Sequence, residues 1–274
     1  MKTNQEIQKL KDKTFILNLN VPKNEVEKEY QHTLKEIQSG FETKGFRKGK
    51  APLNVVKQQI SPEKMLQEVI SHLISHLYEQ KVKEYELKPI IQPQIKIKNP
   101  PLTFDKEWQI ELTACELPET SFDLSKVSNE IKKINATPIK KEAEPKHDNL
   151  DQILEVVIKN SQLELPAILI DSDIENHSSS LIDQTKQAGI TITQYLKTKN
   201  LTLDQYKENL KDQIIKEWTI NLAVEKIAKS EKMEVSQKEI ESLLSKNPQL
   251  ASNINLVYFL LTQQKVFEYL QNLK

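Results

Sequence analysis

The sequence predicts two segments of different fold class: an α+β domain over residues 1–118, then an elongated, all-α domain over residues 150–274. Three observations predict it. Apolar runs of period two stand at both ends of the first segment, with helical spacing between them. Helical spacing continues almost unbroken from Leu150 to the C-terminus. Between the two lies Lys140-Lys141-Glu142-Ala143-Glu144-Pro145-Lys146-His147-Asp148, nearly devoid of apolar side chains, so residues 119–149 read as a linker. At 274 residues the chain exceeds a comfortable single core. Its aromatic content of 6% favours elongated, helix-rich architecture over a large compact enzyme core.

In the first segment, residues 5–21 read as strands; Thr14-Phe15-Ile16-Leu17-Asn18-Leu19-Asn20-Val21 alternates at its end and is stopped by Pro22. Val26, Tyr30, Leu34 and Ile37 then place a helix over 24–38. Pro52 can open a short helix to about Ile60, and Ser61 can cap a longer one. That longer helix carries Leu66, Ile70, Leu73, Leu77 and Tyr78 on one face and ends before Pro89 and Pro93. Ile91, Ile95 and Ile97, then Trp108, Ile110 and Leu112, mark two further strands joined around Asn99-Pro100-Pro101, and Pro118 closes the segment. Within the linker, Ile131-Lys132-Lys133-Ile134 reads as a strand remnant or a short helix.

The second segment begins with an amphipathic stripe of Leu150, Ile153, Leu154, Val157 and Ile158. Pro166 opens a long helix to Ala188, with Gly189 placed to end it. Thr202-Leu203-Asp204-Gln205 and Ser236-Gln237-Lys238-Glu239 both fit a capping box. Tyr206, Leu210, Ile214, Trp218, Leu222 and Ile227 supply a long buried face, and a last helix runs from Ile254 to Leu273. The expectation is about five helices and no strand.

Composition narrows the chemistry. Net charge is zero, but residues 1–118 hold 19 Lys/Arg against 16 Asp/Glu, and residues 119–274 hold 20 against 23. The first segment is therefore the one suited to meet RNA. Cys115 is the only cysteine, which excludes an internal disulfide and any metal site built on cysteines. No apolar run is long enough to cross a membrane, and Met1-Lys2-Thr3-Asn4-Gln5 does not open a signal peptide, so the expected location is cytoplasmic. His72 and His76 have the i,i+4 spacing of zinc ligands, but no cysteine or third histidine accompanies them at a useful spacing. No nucleophile elbow or phosphate-binding loop is present. The expectation is no catalytic residue, no cofactor and no metal.

One motif carries a function. Three of the four glycines (Gly40, Gly45, Gly49) fall within ten residues, and Arg47, the only arginine of the chain, stands among them. The segment Lys44–Lys50 holds four positive charges and no negative one, with Phe46 between them. Glycines allow a tight turn close to a partner, Arg47 offers a planar donor fork to phosphate, and Lys48 and Lys50 act as mobile point charges. An ordinary solvated basic loop is the competing reading. Gly45-Phe46-Arg47-Lys48-Gly49-Lys50-Ala51-Pro52 resembles the ribosome-binding motif of bacterial trigger factors, a Gly-Phe-Arg-x-Gly-Lys-x-Pro pattern. Leu165-Pro166-Ala167-Ile168-Leu169-Ile170-Asp171-Ser172-Asp173-Ile174 is similar to the start of the arm helix of that family's C-terminal chaperone domain. The block from Ile227 to Ser236, leading into Glu239-Ile240, resembles a later helix junction of the same domain.

The resemblance implies a ribosome-binding α+β domain over 1–118 and a helical client-binding chaperone domain over 150–274. It implies an ATP-independent chaperone that docks at the nascent-chain exit of the large ribosomal subunit, meeting rRNA and a protein there, and holds newly made polypeptides during folding or export. The docking residues carried over are Lys44, Gly45, Phe46, Arg47, Lys48, Gly49, Lys50 and Pro52. Apolar stripes such as Ile153 with Val157, Ile168 with Ile174, and Tyr258 with Phe259 could line the client surface; packing of helix on helix is their competing use. The family further implies dimerisation of free molecules, no membrane partner, and partial ribosome association. One departure matters: the family usually carries a prolyl-isomerase domain of the FKBP type, and the 31 residues of 119–149, which contain no glycine, are too few for it. The expectation is therefore holding rather than isomerisation. A peptidyl-prolyl isomerase is the alternative, and a helical export chaperone a third reading that the docking motif argues against.

Overall fold

The computed structural model describes residues 6–136 and 149–274, and the chain divides into two compact units, Met1–Leu117 and Pro118–Lys274.

Unit 1 is α+β. In chain order it contains β1 (Ile7–Lys9), β2 (Thr14–Val21), α1 (Lys23–Gly40), α2 (Leu53–Gln59), α3 (Pro62–Glu84), β3 (Gln94–Ile97) and β4 (Trp108–Cys115). The four strands form one antiparallel sheet in the order β1-β2-β4-β3. Alternation places Phe15, Leu17, Leu19 and Val21 opposite Ala114, Leu112, Ile110 and Trp108, and directly opposed residues share a face. All eight are buried in one core with Val26 and Leu34 of α1 and Met65, Val69, Leu73 and Ile74 of α3. The expected α3 residues Leu66, Ile70, Leu77 and Tyr78 are only partly buried against that core. Ser61 caps α3 as its sequence indicates, accepting from the Lys64 N–H at 3.2 Å.

The edge strand β3 differs from expectation. Ile95 and Ile97 oppose Leu112 and Ile110, yet they stay 51% and 39% exposed. The apolar layer over the centre of the sheet does not extend to this short outer strand.

Unit 2 is helical: α4 (Leu124–Ala136), α5 (Asn149–Asn160), α6 (Ala167–Gln187), α7 (Ile192–Thr198), α8 (Leu203–Ser230), α9 (Gln237–Lys246) and α10 (Ile254–Gln271), with a 3-10 turn at Pro248–Ser252. From Asn149 onward this makes six α-helices among the described residues, one more than the periodicity predicts. The extra one is α7, whose capping box Thr191-x-x-Gln194 is as clear in sequence as those of Thr202 and Ser236. Among the described residues of unit 2 the only bridge of strand type is the isolated pair Ser121–Gln162.

The linker expectation needs correction. Thirteen of its 31 residues form α4, whose Val127 and Ile131 are fully buried against Ile153 and Val157 of α5, Val224 and Ile227 of α8, and Val266 and Leu270 of α10. Leu124, Val127, Ile131 and Ile134 are spaced 3, 4 and 3, a helical stripe that the linker reading passed over. The helix option for Ile131–Ile134 holds; the charged run 140–148 lies outside the described residues.

Four helices end alike. After α3, α6, α7 and α8 the chain enters the left-handed region at Glu86, Gly189, Asn200 and Lys232, with φ of 51°, 72°, 55° and 51°. Each time, the next residue donates back five positions, as from the Met233 N–H to the Ala228 carbonyl at 2.9 Å.

Candidate functional site

The basic motif leaves α1 and enters α2 as two consecutive four-residue turns. In the first, the Phe46 N–H donates to the Thr43 carbonyl at 3.3 Å, with Gly45 third at φ 91°. In the second, the Lys50 N–H donates to the Arg47 carbonyl at 2.9 Å, with Gly49 third at φ 73°. A positive φ at the third position alone is the type II pattern, which explains why glycines recur at a spacing of four. Gly49 is constrained a second way: a Cβ there would lie 2.7 Å from the Ser39 carbonyl oxygen, whereas a Cβ on Gly45 would meet nothing.

Three further hydrogen bonds fix the loop in its frame. The Gly49 N–H donates to the Phe41 carbonyl at 3.0 Å, the Gln38 amide to the Ala51 carbonyl at 2.7 Å, and the Gln59 amide to the Thr43 hydroxyl at 3.2 Å. Ala51 is fully buried. Gln38 and Gln59 carry no functional signal in sequence; their role depends on contacts 13 and 16 residues away. On this frame Lys44, Gly45, Phe46, Arg47, Lys48, Lys50 and Pro52 are exposed and Gly49 is half-buried. Phe46 shows 43% of its surface. Lys48 pairs with Glu42 at 3.3 Å, an exposed contact that costs little to break; Lys44, Arg47 and Lys50 have no ion pair among the described residues. The loop thus displays an aromatic ring flanked by uncommitted cations, suited to phosphates and an adjacent apolar spot.

The expected client stripes divide. Ile153, Val157 and Ile168 are 0%, 2% and 7% exposed, so they are core residues and cannot present a surface. The reason is that α5 is enclosed by α4, α8 and α10, and α6 packs on α8, where the Trp218 indole N–H also donates to Asp173 at 2.7 Å. Ile174 is half-buried. Tyr258 and Phe259 are exposed, and α10 adds Ile254 and Leu256, which the helix-face reading passed over. The first turns of α10 read Ile-Asn-Leu-Val-Tyr-Phe-Leu-Leu, apolar on nearly every side. One side is used: Val257 and Leu261 bury against Ile240 of α9. The remainder stands open, and that run was the available signal.

A polar clamp holds α9 to α10 beneath this patch. Glu239 accepts from the Ser236 N–H at 2.8 Å and from its hydroxyl at 2.7 Å, and pairs with Lys265 at 2.9 Å. Chiefly through Lys265, then through Ser236, its carboxyl is held down at about 2.

A groove of about 490 Å³ in unit 1 is lined by Lys23, Glu27, Tyr30, Lys57, Phe104 and Asp105 among others. No helix among the described residues is long and apolar enough to cross a membrane.

Known proteins match this arrangement. The family profile for bacterial trigger factor protein (TF) matches residues 1–153, and that for its C-terminus matches residues 124–272. Trigger factor of Agathobacter rectalis is 31% identical over 146 residues, 50% of this chain and 32% of the relative. That of Bdellovibrio bacteriovorus is 31% identical over 156 residues, 57% of this chain and 32% of the relative. The chain thus spans about a third of the length of the curated relatives it matches. A solved structure from work on promiscuous substrate recognition in folding and assembly activities of the trigger factor chaperone superposes on 98% of this chain and 100% of its own, with a TM-score of 0.61 at 12% identity, a likeness of fold. The two profiles together leave almost no residue unmatched, and the chain belongs to the bacterial trigger factor family.

Proposed function

We propose that this protein is an ATP-independent holding chaperone that docks on the large ribosomal subunit through Lys44–Lys50 and Pro52 and shelters emerging polypeptide on unit 2. The observation that carries the docking half is the exposed Phe46-Arg47-Lys48 triplet held between two glycine turns on a hydrogen-bonded frame. Arg47 and its lysine neighbours meet rRNA phosphates, while Phe46 meets a protein or base surface at the tunnel exit. For the holding half, Ile254, Leu256, Tyr258 and Phe259 form the client surface, because dispersed apolar contacts without a closed pocket accept many sequences. The reading is of a cytoplasmic protein, partly ribosome-bound, that does not isomerise prolines. The two matched regions overlap at residues 124–153, which supports the absence of a domain between them.

Pelleting with ribosomes tests the docking half. Replacing Phe46, Arg47 and Lys48 together by Ala abolishes co-sedimentation while far-ultraviolet circular dichroism stays that of wild type; undiminished pelleting refutes it. With at most four cationic contacts, binding falls with salt less steeply than for an extensive RNA binder. Acceleration of a proline-limited refolding reaction would refute the non-isomerase reading. For the holding half, Tyr258→Ser with Phe259→Ser lowers the suppression of client aggregation at unchanged ribosome binding. Sedimentation velocity of the free protein reports whether it dimerises, as its family likeness implies.

A further inference from the structure

Glu29, His32 and Glu36 are three and four residues apart on α1 and so share a face. The packing of α1 on α3 brings His72 to the same place. His72 Nδ1 stands 3.6 Å from Glu29 Oε1 and 3.2 Å from Glu36 Oε2; His32 Nδ1 stands 3.5 Å and 3.8 Å from the same two oxygens. Ligand atoms of Glu29, His32 and His72 all lie within 4.8 Å of one another. His76, the partner that helical spacing offers to His72, is exposed and not among them.

We propose that Glu29, His32 and His72 form a binding site for a zinc-like divalent transition cation, with Glu36 beside the two imidazoles as an outer carboxylate. Ligand atoms around a zinc with bonds of about 2.1 Å lie about 3.4 Å apart, and Glu29 stands 3.5 Å from His32 and 3.6 Å from His72. Charge agrees as well: two carboxylates and two neutral imidazoles leave a net charge that one divalent ion cancels. Mixed nitrogen and oxygen donors select zinc, nickel or copper over magnesium and calcium, which prefer all-oxygen shells. The scaffold is firm, since Val26, Leu34, Val69 and Leu73 of the same helices are buried, and the Thr33 hydroxyl donates to Glu29 at 3.4 Å. The side chains are open enough to admit an ion from solvent, His72 at 39% and Glu29 at 23% exposure. A bound ion would join α1 to α3, cross-linking the helix that leads into the basic loop. This inference stands apart from ribosome docking, and either can fail alone.

The test is calorimetric titration of the full chain with zinc at neutral pH, paired with melting in zinc and in EDTA. One ion binds per chain, and zinc raises the melting temperature; magnesium does neither. His32→Ala and His72→Ala each weaken zinc by more than the roughly 10–100-fold typical of losing an outer-shell partner. Glu29→Gln weakens it comparably, and Glu36→Gln by roughly tenfold. His76→Ala binds as wild type. All variants melt as wild type in EDTA, because the replaced side chains are at least partly exposed. Absence of zinc binding overturns the proposal, and so does binding that survives His32→Ala and His72→Ala or is lost in His76→Ala.

Discussion

The basic loop of unit 1 and the first turns of α10 in unit 2 are both exposed, but they are made in opposite ways. The loop is polar and fixed, with two type II turns, three framing hydrogen bonds, and a glycine that touches the backbone of Ser39. The α10 patch is apolar and simple, a helix whose Val257 side is buried while Ile254, Leu256, Tyr258 and Phe259 remain open. A loop that must match one partner surface needs geometry. A surface that must accept many chains needs area, and area comes from leaving a helix face uncovered. The glycines follow this division. Three of four lie at 40–49, whereas the αL positions after α7 and α8 are filled by Asn200 and Lys232.

The largest effect expected from this contrast is in the core that the loop does not use. Ile153→Ala removes a fully buried side chain among α4, α5, α8 and α10 and should cost about 2–5 kcal/mol in chemical denaturation. It should leave ribosome pelleting of the folded protein unchanged. An effect within 0.5 kcal/mol, about the spread of surface substitutions, would return Ile153 to the candidate client surface. Next comes Gly49→Ala, where αL strain and the 2.7 Å approach to Ser39 add to about 2–4 kcal/mol and abolish docking. Gly45→Ala, strained only in φ, should cost about 1–2 kcal/mol. Equal costs would mean that the backbone contact does not matter. Lys232→Gly should stabilise unit 2 by about 0.5–1 kcal/mol, since the αL penalty exceeds the entropy of a new glycine. A loss of stability there would show that Lys232 makes a contact worth more than its strain.

The smallest effect is confined to acid. Glu239 is held at about 2 against an ordinary 4.5, so its contribution is complete above about 4.5 and is lost as pH falls through about 2. The melting temperature of wild type should fall through that window relative to Glu239→Gln, in which glutamine can still close the capping box. Parallel curves would remove Lys265 and Glu239 as a clamp.

What the sequence made legible was local. Capping boxes need four residues, strand alternation in Thr14–Val21 needs eight, and the docking motif needs eight. Each is complete within its own window, so each could be read without the fold. The rest depended on distant partners. Leu124, Val127, Ile131 and Ile134 have helical spacing, but that Val127 and Ile131 are core residues is decided only by Ile153 and Leu270 against them. Ile153 and Val157 have the periodicity of any amphipathic face; only the arrival of α4, α8 and α10 decides that the face is inner. His32 and His72, forty residues apart, become neighbours only because α1 lies on α3. Exposure of α10 was partly readable, since a helix apolar on all sides must leave some of it outside unless it is surrounded.

The outer strand β3 has a consequence of its own for the proposed handling of extended polypeptides. A free sheet edge can recruit such a chain through main-chain hydrogen bonds, with no regard for sequence and with little prospect of release. Here the edge is four residues long, with Pro93 before it, Pro100-Pro101 soon after, and Lys96 and Lys98 along it. Prolines and lysines of this kind shorten and charge an edge against strand addition. The exposed Ile95 and Ile97 can therefore touch a passing chain without templating it, and unit 1 resists becoming the seed of a β-aggregate with the clients proposed for it.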